Sequence, residues 1–342
     1  VAWREAITFT YRGNSVISMP PSSSGGVTMA EMANILQRYD LAALRWHGPE
    51  MVHLYAEAWK RAYADRNHYL GDPDFVDMPL ERMASPEYAA LRASDMSTER
   101  ATPSSDVGPG LDGPTEGENT THYSIVDAMG NAVAVTTTIN SWYGSKVTVT
   151  GAGFVLNNEM DDFAAKPGTP NQFGGSKVTV TGAGFVLNNE MDDFAAKPGT
   201  PNQFGLVQGE KNAVAPGKRM LSAMTPTIVV GPSGRLRMVT GTPGGATIIT
   251  TVFQTISNVL DYGMNVVQAV NAPRVHHQHL PDQIFYEPGG LEASVVAQLR
   301  EQGPTVVERS GMSGDAQVIL VDEAGTLYGW SDPRRGGRAL AY

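Results

Sequence analysis

The sequence predicts a β-sheet covered by helices, in the α+β or layered α/β class. Three observations support this prediction. Apolar residues recur at helical spacing in the first ninety residues, strand-like alternation begins abruptly at residue 120, and strand and helix patterns alternate from residue 226 to the end.

The first part of the chain is predicted to be mostly helical after a short strand. Segments 29–39 and 51–63 carry apolar side chains at helical spacing. Residues 94–119 are rich in Ser, Pro, Gly and acids and nearly lack large apolar side chains. Such a segment cannot offset the entropy of ordering by burial, so we expect a flexible surface linker.

Strands and helices alternate in the second half. A continuous apolar face predicts a helix at 246–260, and Gly263 suits its C-terminal cap. A further helix is expected at 291–302. Strands are expected at 226–230, 236–240, 306–308, 316–321 and 326–329.

Composition excludes several classes of protein. A formal net charge of −10 over 342 residues argues against a nucleic-acid binder, which needs a basic face. No apolar run approaches the ~20 residues that span a bilayer. The absence of cysteine excludes disulfides, thiolate metal sites and cysteine nucleophiles. Because the chain starts at Val1 without a signal-peptide pattern, we expect an N-terminally truncated fragment.

One segment of 31 residues occurs twice without change, at 144–174 and at 175–205. Solenoid repeats diverge in sequence and need at least three copies, so a repeat architecture is disfavoured. Two identical neighbouring copies indicate a recent tandem duplication or an error in assembling the sequence.

A β-hairpin is predicted around the loop 128–130, because residues alternate on both sides of it. If the residues flanking this loop pair, Thr120 lies opposite Thr138. Asn140 shares the face of Thr138, since side chains repeat every two residues along a strand. The hairpin therefore predicts a small polar group at its open end.

The bond between Asn119 and Thr120 lies where the polar linker meets this hairpin. Cleavage there would give Thr120 a free α-amino group, which can take the proton of the threonine hydroxyl. A Thr-rich hairpin that is merely structural is the alternative, because Thr favours strands for packing reasons.

Two further segments carry candidate chemistry. GTPGGA at 241–246 places two glycines before a helix, which suits an anion or oxyanion site, with an ordinary tight turn as the alternative. NNEMDDF at 157–163 recurs at 188–194, and its carboxylates Glu159 and Asp162 suit an ammonium group or a divalent metal. A solvated acidic loop is the alternative there.

Two weaker signals are interpreted as structural. His276, His277 and His279 lack the helical pair spacing of metal-binding HExxH motifs. PSSSGG at 21–26 lacks the GxSxG pattern of a serine nucleophile, so a helix-capping loop is expected.

Six ordered motifs resemble γ-glutamyltransferases (glutathione hydrolases). They are TTHYSIVDAMGNAVAVTTTIN, LNNEMDDF, KRMLSAMTPTIVV, GTPGG, DYGMNVVQAVNAPRVHHQ and LYGWSDPR. The resemblance implies an α+β, four-layer αββα sandwich of the N-terminal-nucleophile (Ntn) hydrolase fold. It also implies a precursor that cleaves itself into two subunits. Residues 1–93 would end the large subunit, 94–119 would be the linker, and 120–342 would be the small, catalytic subunit.

The resemblance further implies a threonine nucleophile that attacks the γ-glutamyl amide of glutathione or a similar donor. Water, an amino acid or a peptide would then accept the γ-glutamyl group. No metal or organic cofactor is expected. The catalytic residues would be Thr120, Thr138, Gly244 and Gly245, and the donor would be bound by Asn140, Glu159, Asp162 and Ser222.

Four departures from the family pattern bear on function. The region that supplies an arginine for the donor carboxylate is absent, Ala223 replaces a second serine, and Phe173 (or Phe204) replaces a tyrosine in the lid. The duplication leaves open whether Glu159 and Asp162 or Glu190 and Asp193 fill the site, with the first copy favoured by its spacing from Thr120.

Two alternatives therefore remain from the sequence. One is a cephalosporin or glutaryl acylase of the same fold, and the other is a catalytically inactive fragment. A periplasmic or secreted location is implied by the resemblance alone.

Overall fold

The computed structural model describes residues 3–110, 121–137, 207, 210–213, 215, 217–309 and 313–341. Within these ranges the strands are β1 (Ile7–Tyr11), β2 (Asn14–Ser18), β3 (Thr121–Val126), β4 (Ala132–Thr137), β5 (Thr227–Val230), β6 (Leu236–Gly241), β7 (Val275–His276), β8 (Gln283–Tyr286), β9 (Thr305–Glu308), β10 (Gln317–Val321) and β11 (Leu327–Ser331). The helices are α1 (Gly25–Leu36), α2 (Pro49–Tyr69), α3 (Leu80–Met83), α4 (Pro86–Arg92), α5 (Thr247–Leu260), α6 (Val266–Asn271) and α7 (Ala293–Glu301).

A six-stranded antiparallel sheet in the order β1-β2-β5-β6-β10-β11 forms the centre of the fold. Ser18 of β2 lies opposite Thr227 of β5, and Thr227 lies opposite Thr240 of β6. Strands β1 and β2 precede residue 120 and the other four follow it. The sheet therefore joins the two parts of the chain that flank the predicted cleavage site.

The two faces of this sheet pack against different elements of the chain. Tyr11, Val16 and Met238 point to one face and belong to the main hydrophobic core, where the Tyr11 ring lies 5.6 Å from the Phe253 ring of α5. Gly241 points to the opposite face, which the hairpin β3–β4 covers. Strands thus pack on strands and helices pack on the far side, an α+β arrangement as predicted.

The hairpin has the register that its three-residue loop predicts. Thr121 pairs with Thr137, and Val126 pairs with Ala132. The Asp127 N–H donates to the Asn131 carbonyl over 3.0 Å, and Gly130 takes a φ of 82° at the left-handed position of the loop. This prediction is confirmed for the described part of the hairpin, whose open end lies at Thr121 and Thr137.

Helix α2 is longer than the predicted segment 51–63. Its last turns lack an apolar pattern and are buried all the same, because their charged side chains are paired. Asp65 accepts a hydrogen bond from the Tyr88 hydroxyl over 2.8 Å and pairs with Arg92 at 2.8 Å. Hydrophobic periodicity cannot detect a helix that is buried through ion pairs.

Part of the predicted linker 94–119 packs on the body of the protein. The Thr102 N–H donates to Glu57 over 3.0 Å, and the Ser104 hydroxyl donates to the His279 carbonyl over 2.6 Å. The Gly110 N–H donates to buried Asp65 over 2.6 Å. Residues 111–119 lie outside the described residues, so the flexible linker and the subunit boundary stay predictions.

Candidate active site

Three of the predicted functional segments meet at one end of the central sheet. Thr227 at the start of β5 pairs with Thr240 near the end of β6. Ser222, which precedes β5, and Gly244, which follows β6, therefore lie beyond the same end of the sheet. The open end of the hairpin lies there too, since the His122 ring sits directly over Gly241. A Cβ on Gly241 would come within 2.1 Å of that ring.

The glycine loop between β6 and α5 contains two glycines whose backbone conformation other residues rarely adopt. Gly244 and Gly245 take φ angles of 136° and 66°, which side chains disfavour. A Cβ on Gly244 would lie 2.8 Å from Thr247 Oγ1 and 2.9 Å from Gly314 Cα. Neither glycine N–H has an acceptor among the described residues. Both are therefore available to an oxyanion.

A second loop, Ser313–Ala316, supports the glycine loop from beside it. The Asp315 N–H donates to the Thr242 hydroxyl over 2.7 Å, and that hydroxyl donates to the Pro243 carbonyl over 2.7 Å. Gly314 has a φ of 90° and packs against Gly244. These contacts fix the backbone just before the two glycines.

Buried ion pairs hold this second loop in turn. The Ser313 carbonyl accepts hydrogen bonds from Arg274 and from the Thr251 hydroxyl, and its N–H donates to Glu287 over 2.9 Å. Asp332 pairs with Arg274 and accepts the Ala316 N–H over 2.9 Å. The glycine loop therefore rests on a charged network in the interior.

His122 joins the hairpin to the sheet as a neutral side chain. Burial lowers the pKa of His122 to about 3. Its Nε2 lies 3.0 Å from the Ser124 hydroxyl, which itself donates to the Gln317 carbonyl over 3.2 Å. Ser124 must then accept from Nε2–H, so the Thr136 hydroxyl donates to Nδ1 over 2.8 Å. Hydrogen bonds at both nitrogens thus hold the ring in place between the hairpin and β6, two residues after Thr120.

Ser222 is held in the loop that precedes β5. Its N–H donates to the Ser22 carbonyl over 2.9 Å, and its hydroxyl oxygen accepts the Met224 N–H over 3.1 Å. Helix α1 begins at Gly25, so only residues 21–24 of the predicted loop 21–26 precede it, and the Ser24 side chain makes no capping hydrogen bond to the helix. The side chain of the neighbouring Ala223 is buried in the hydrophobic core.

The remaining predicted site residues lie outside the described residues. Thr121 and Thr137, the last described hairpin residues, are the chain neighbours of the predicted nucleophile and of its predicted hydroxyl partner. The undescribed group comprises Asn119, Thr120, Thr138, Asn140, Glu159, Asp162, Phe173, Glu190, Asp193 and Phe204.

A family model described as gamma-glutamyltranspeptidase matches residues 1–175 and 168–342. The chain belongs to the gamma-glutamyltranspeptidase family. Each matched stretch contains one copy of the 31-residue repeat, as expected if one family domain carries an extra copy.

Similarity to individual proteins supports the same family. The chain is 44% identical over 331 residues to a glutathione hydrolase proenzyme of Escherichia coli (strain K12), covering 97% of this chain and 51% of that protein. It is 41% identical over 341 residues to a glutathione hydrolase proenzyme of Pseudomonas sp. (strain A14), covering 97% and 54%. The chain spans about half the length of the curated relatives it matches.

A solved structure shares the fold. The cephalosporin acylase from Bacillus halodurans matches with a TM-score of 0.70 and 23% identity, covering 97% of this chain and 52% of that one. At this identity the likeness shows a common fold only. The match covers nearly the whole of this chain.

The three histidines that the sequence analysis treated as structural are buried and hydrogen-bonded. His276 Nδ1 lies 2.8 Å from the Thr250 hydroxyl, and burial lowers the pKa of His276 to about 3. His279 Nε2 lies 3.0 Å from the Ser104 carbonyl. No group of three or more His, Cys, Asp or Glu in the described ranges is arranged to hold a metal ion.

The residues that support the candidate site carry no signal in the sequence. Gly314 and Asp315 contact the glycine loop, yet a single Gly-Asp step carries no distinctive pattern. The serines of PSSSGG were recognised as a loop, but their contact with Ser222 joins segments about two hundred residues apart. No helix among the described residues is long and apolar enough to cross a membrane.

Proposed function

We propose that this chain carries the catalytic part of a self-processing γ-glutamyl hydrolase or transferase that acts on glutathione and other γ-glutamyl compounds. The observation that carries the proposal is the meeting of the hairpin end, the glycine loop and Ser222 at one end of the sheet. An acyl-transfer site needs a nucleophile, an oxyanion site and a substrate anchor close together.

Self-cleavage between Asn119 and Thr120 would free the α-amino group of Thr120. This amine takes the proton of the Thr120 hydroxyl as the oxygen attacks the γ-carbonyl carbon of the donor. The N–H groups of Gly244 and Gly245 stabilise the negative oxygen that develops, and Thr138 hydrogen-bonds the nucleophile. The leaving amine takes up the proton, and a γ-glutamyl ester on Thr120 remains.

Water or an amine acceptor then attacks this ester and regenerates Thr120. Ser222 would bind the donor carboxylate, and Asn140, Glu159 and Asp162 would together hold the α-amino and α-carboxylate groups of the donor. Glu190 and Asp193 of the second copy are the alternative pair. No step of this scheme draws on a metal or an organic cofactor.

The subunits of one precursor would be each other's partners, since they share the central sheet. The resemblance favours a periplasmic or secreted enzyme, which fractionation of the source cells would test.

The first test is the intact mass of the purified chain after incubation near neutral pH. Two pieces meeting at Asn119 and Thr120 are expected, and Thr120→Ala should remain uncut. An uncut wild-type chain would contradict self-processing by this chain and would support the inactive-fragment alternative.

The second test compares a γ-glutamyl anilide with a glutaryl anilide, which lacks the α-amino group. Faster cleavage of the γ-glutamyl compound is expected because clustered acids bind its ammonium group. Preference for the glutaryl compound would instead support an acylase, the alternative that Ala223 invites. In either case Thr120→Ala should abolish cleavage.

A further inference from the structure

We propose that the loop Ser22–Ser24 is the positioning element of the donor-carboxylate site, because it clamps the backbone of Ser222 and so aims the Ser222 hydroxyl. This inference rests on the proposed function. It assigns a role to the serine-rich segment 21–26, which the proposed chemistry does not otherwise use.

The backbone of Ser222 is held from both sides by this loop. Its N–H donates to the Ser22 carbonyl over 2.9 Å, and its carbonyl accepts the Ser24 N–H over 2.7 Å. The Ser24 hydroxyl donates to the same carbonyl over 2.7 Å, and the Ser23 hydroxyl lies 3.0 Å from it. The peptide groups on both sides of the Ser222 Cα are therefore fixed by one loop.

The direction of the Ser24 hydrogen bond is set by a buried arginine. Arg66 Nε donates to the Ser24 hydroxyl oxygen over 2.9 Å, and a guanidinium can only donate. The Ser24 proton must then point at the Ser222 carbonyl. Both Ser24 and Arg66 are fully buried, so water does not compete for this arrangement.

Close backbone approach locks the loop against the Ser222 segment. A Cβ on Gly25 would lie 2.3 Å from the Met224 carbonyl oxygen, and a Cβ on Gly26 would lie 2.4 Å from the Met19 carbonyl oxygen. Neither position admits a side chain. Gly25 thus lets helix α1 begin in direct contact with the segment that carries Ser222, and Gly26 lets the same turn lie close to Met19, just before the loop.

With its backbone held in this way, Ser222 keeps a hydroxyl proton that can be donated. Its oxygen accepts the Met224 N–H over 3.1 Å, while its proton has no acceptor among the described residues. The residue is only 8% exposed. An oriented, nearly buried O–H donor matches what a substrate carboxylate requires, and a fixed backbone is what keeps it oriented.

The test compares Ser24→Ala with wild type on two anilides, the γ-glutamyl compound and the 4-aminobutyryl compound, which lacks the α-carboxylate. We expect KM for the γ-glutamyl anilide to rise about tenfold, the size of one charge-assisted hydrogen bond, with kcat nearly unchanged. The kcat/KM for the 4-aminobutyryl anilide should not change. Ser222→Ala should show the same pattern.

Ser18→Ala is the matched control, because the Ser18 hydroxyl bonds the Pro226 carbonyl and Thr227 close by without touching Ser222. It should leave both substrates unaffected. If Ser24→Ala fails to fold, as judged by its thermal unfolding, Ser23→Ala replaces it with a smaller rise in the same direction.

Equal losses on both anilides, or no rise in KM, would overturn the positioning role while leaving the proposed function in place. A wild-type chain that cleaves neither anilide would contradict the proposed function and this inference with it.

Discussion

Gly241→Ala should destabilise the protein through one contact, the clash of the added methyl group with the His122 ring. The added Cβ would lie 2.1 Å from Cε1, 2.2 Å from Nδ1 and 2.6 Å from Nε2 of that ring. The ring cannot move aside freely, because both of its nitrogens are hydrogen-bonded to hydroxyls on the hairpin. The hairpin must therefore shift off β6, which we expect to lower the free energy of unfolding by about 1–3 kcal/mol, as overpacking does.

A double-mutant cycle isolates this contact. His122→Ala alone destabilises by leaving a cavity, but it also removes the atoms that the new methyl would meet. Gly241→Ala should then cost little or nothing in the His122→Ala background, giving a coupling energy of about 1–3 kcal/mol. Gly231→Ala is the control, since its Cβ would have only an ordinary 3.6 Å contact with the Arg235 carbonyl.

Urea unfolding of the four variants measures the cycle, and intact mass measures self-cleavage in parallel. Gly241→Ala should slow cleavage as well as destabilise, because it displaces the strand that leads into Thr120. An equal cost of Gly241→Ala with and without the His122 ring would refute the reasoning.

Three further outcomes are expected. Gly244→Ala should lower kcat about 10²–10³-fold with KM nearly unchanged, since its strained backbone would misplace an oxyanion donor; anilide kinetics check this, and a selective change in KM would argue against it. Asp332→Asn should lower the free energy of unfolding by about 3–5 kcal/mol in urea titrations, because it leaves buried Arg274 without its charge partner; a change below 1 kcal/mol would speak against that ion pair. Because burial lowers the pKa of His122 and His276 to about 3, the folded state binds fewer protons than the unfolded state. The free energy of unfolding should keep this contribution above about pH 6.5 and lose it as the pH drops toward 3, by up to about 1.4 kcal/mol per pH unit for each histidine. Urea unfolding at a series of pH values tests this. The free energy of unfolding should depend less steeply on pH in His122→Asn, and an unchanged dependence in that variant would contradict the prediction.

Local sequence patterns predicted the hairpin and the glycine loop because both depend on neighbouring residues. The register follows from the loop 128–130, and the two glycines follow a strand and precede a helix within a few residues. Short-range rules of turn chemistry suffice for such elements.

The supports of the site could not be predicted in the same way. Ser24 and Ser222 lie far apart in the chain, and Arg274, Glu287 and Asp332 come together only through folding. The last turns of α2 also escaped prediction, because ion pairs rather than apolar periodicity bury them. Contacts of this kind have no local signature, and only the folded chain shows them.

The pairing of β2 with β5 changes how the molecule recovers from denaturation. In an uncut chain these strands belong to one covalent molecule, so refolding is unimolecular and independent of protein concentration. After the proposed cleavage at Asn119, the same pairing joins two polypeptides, and refolding becomes bimolecular. Dilution would then prevent recovery of denatured protein, although it would leave the native assembly intact, because separating the pieces requires breaking the central sheet. After self-cleavage the protein would thus no longer refold readily once denatured, and the lifetime of the native assembly would depend on its rate of unfolding.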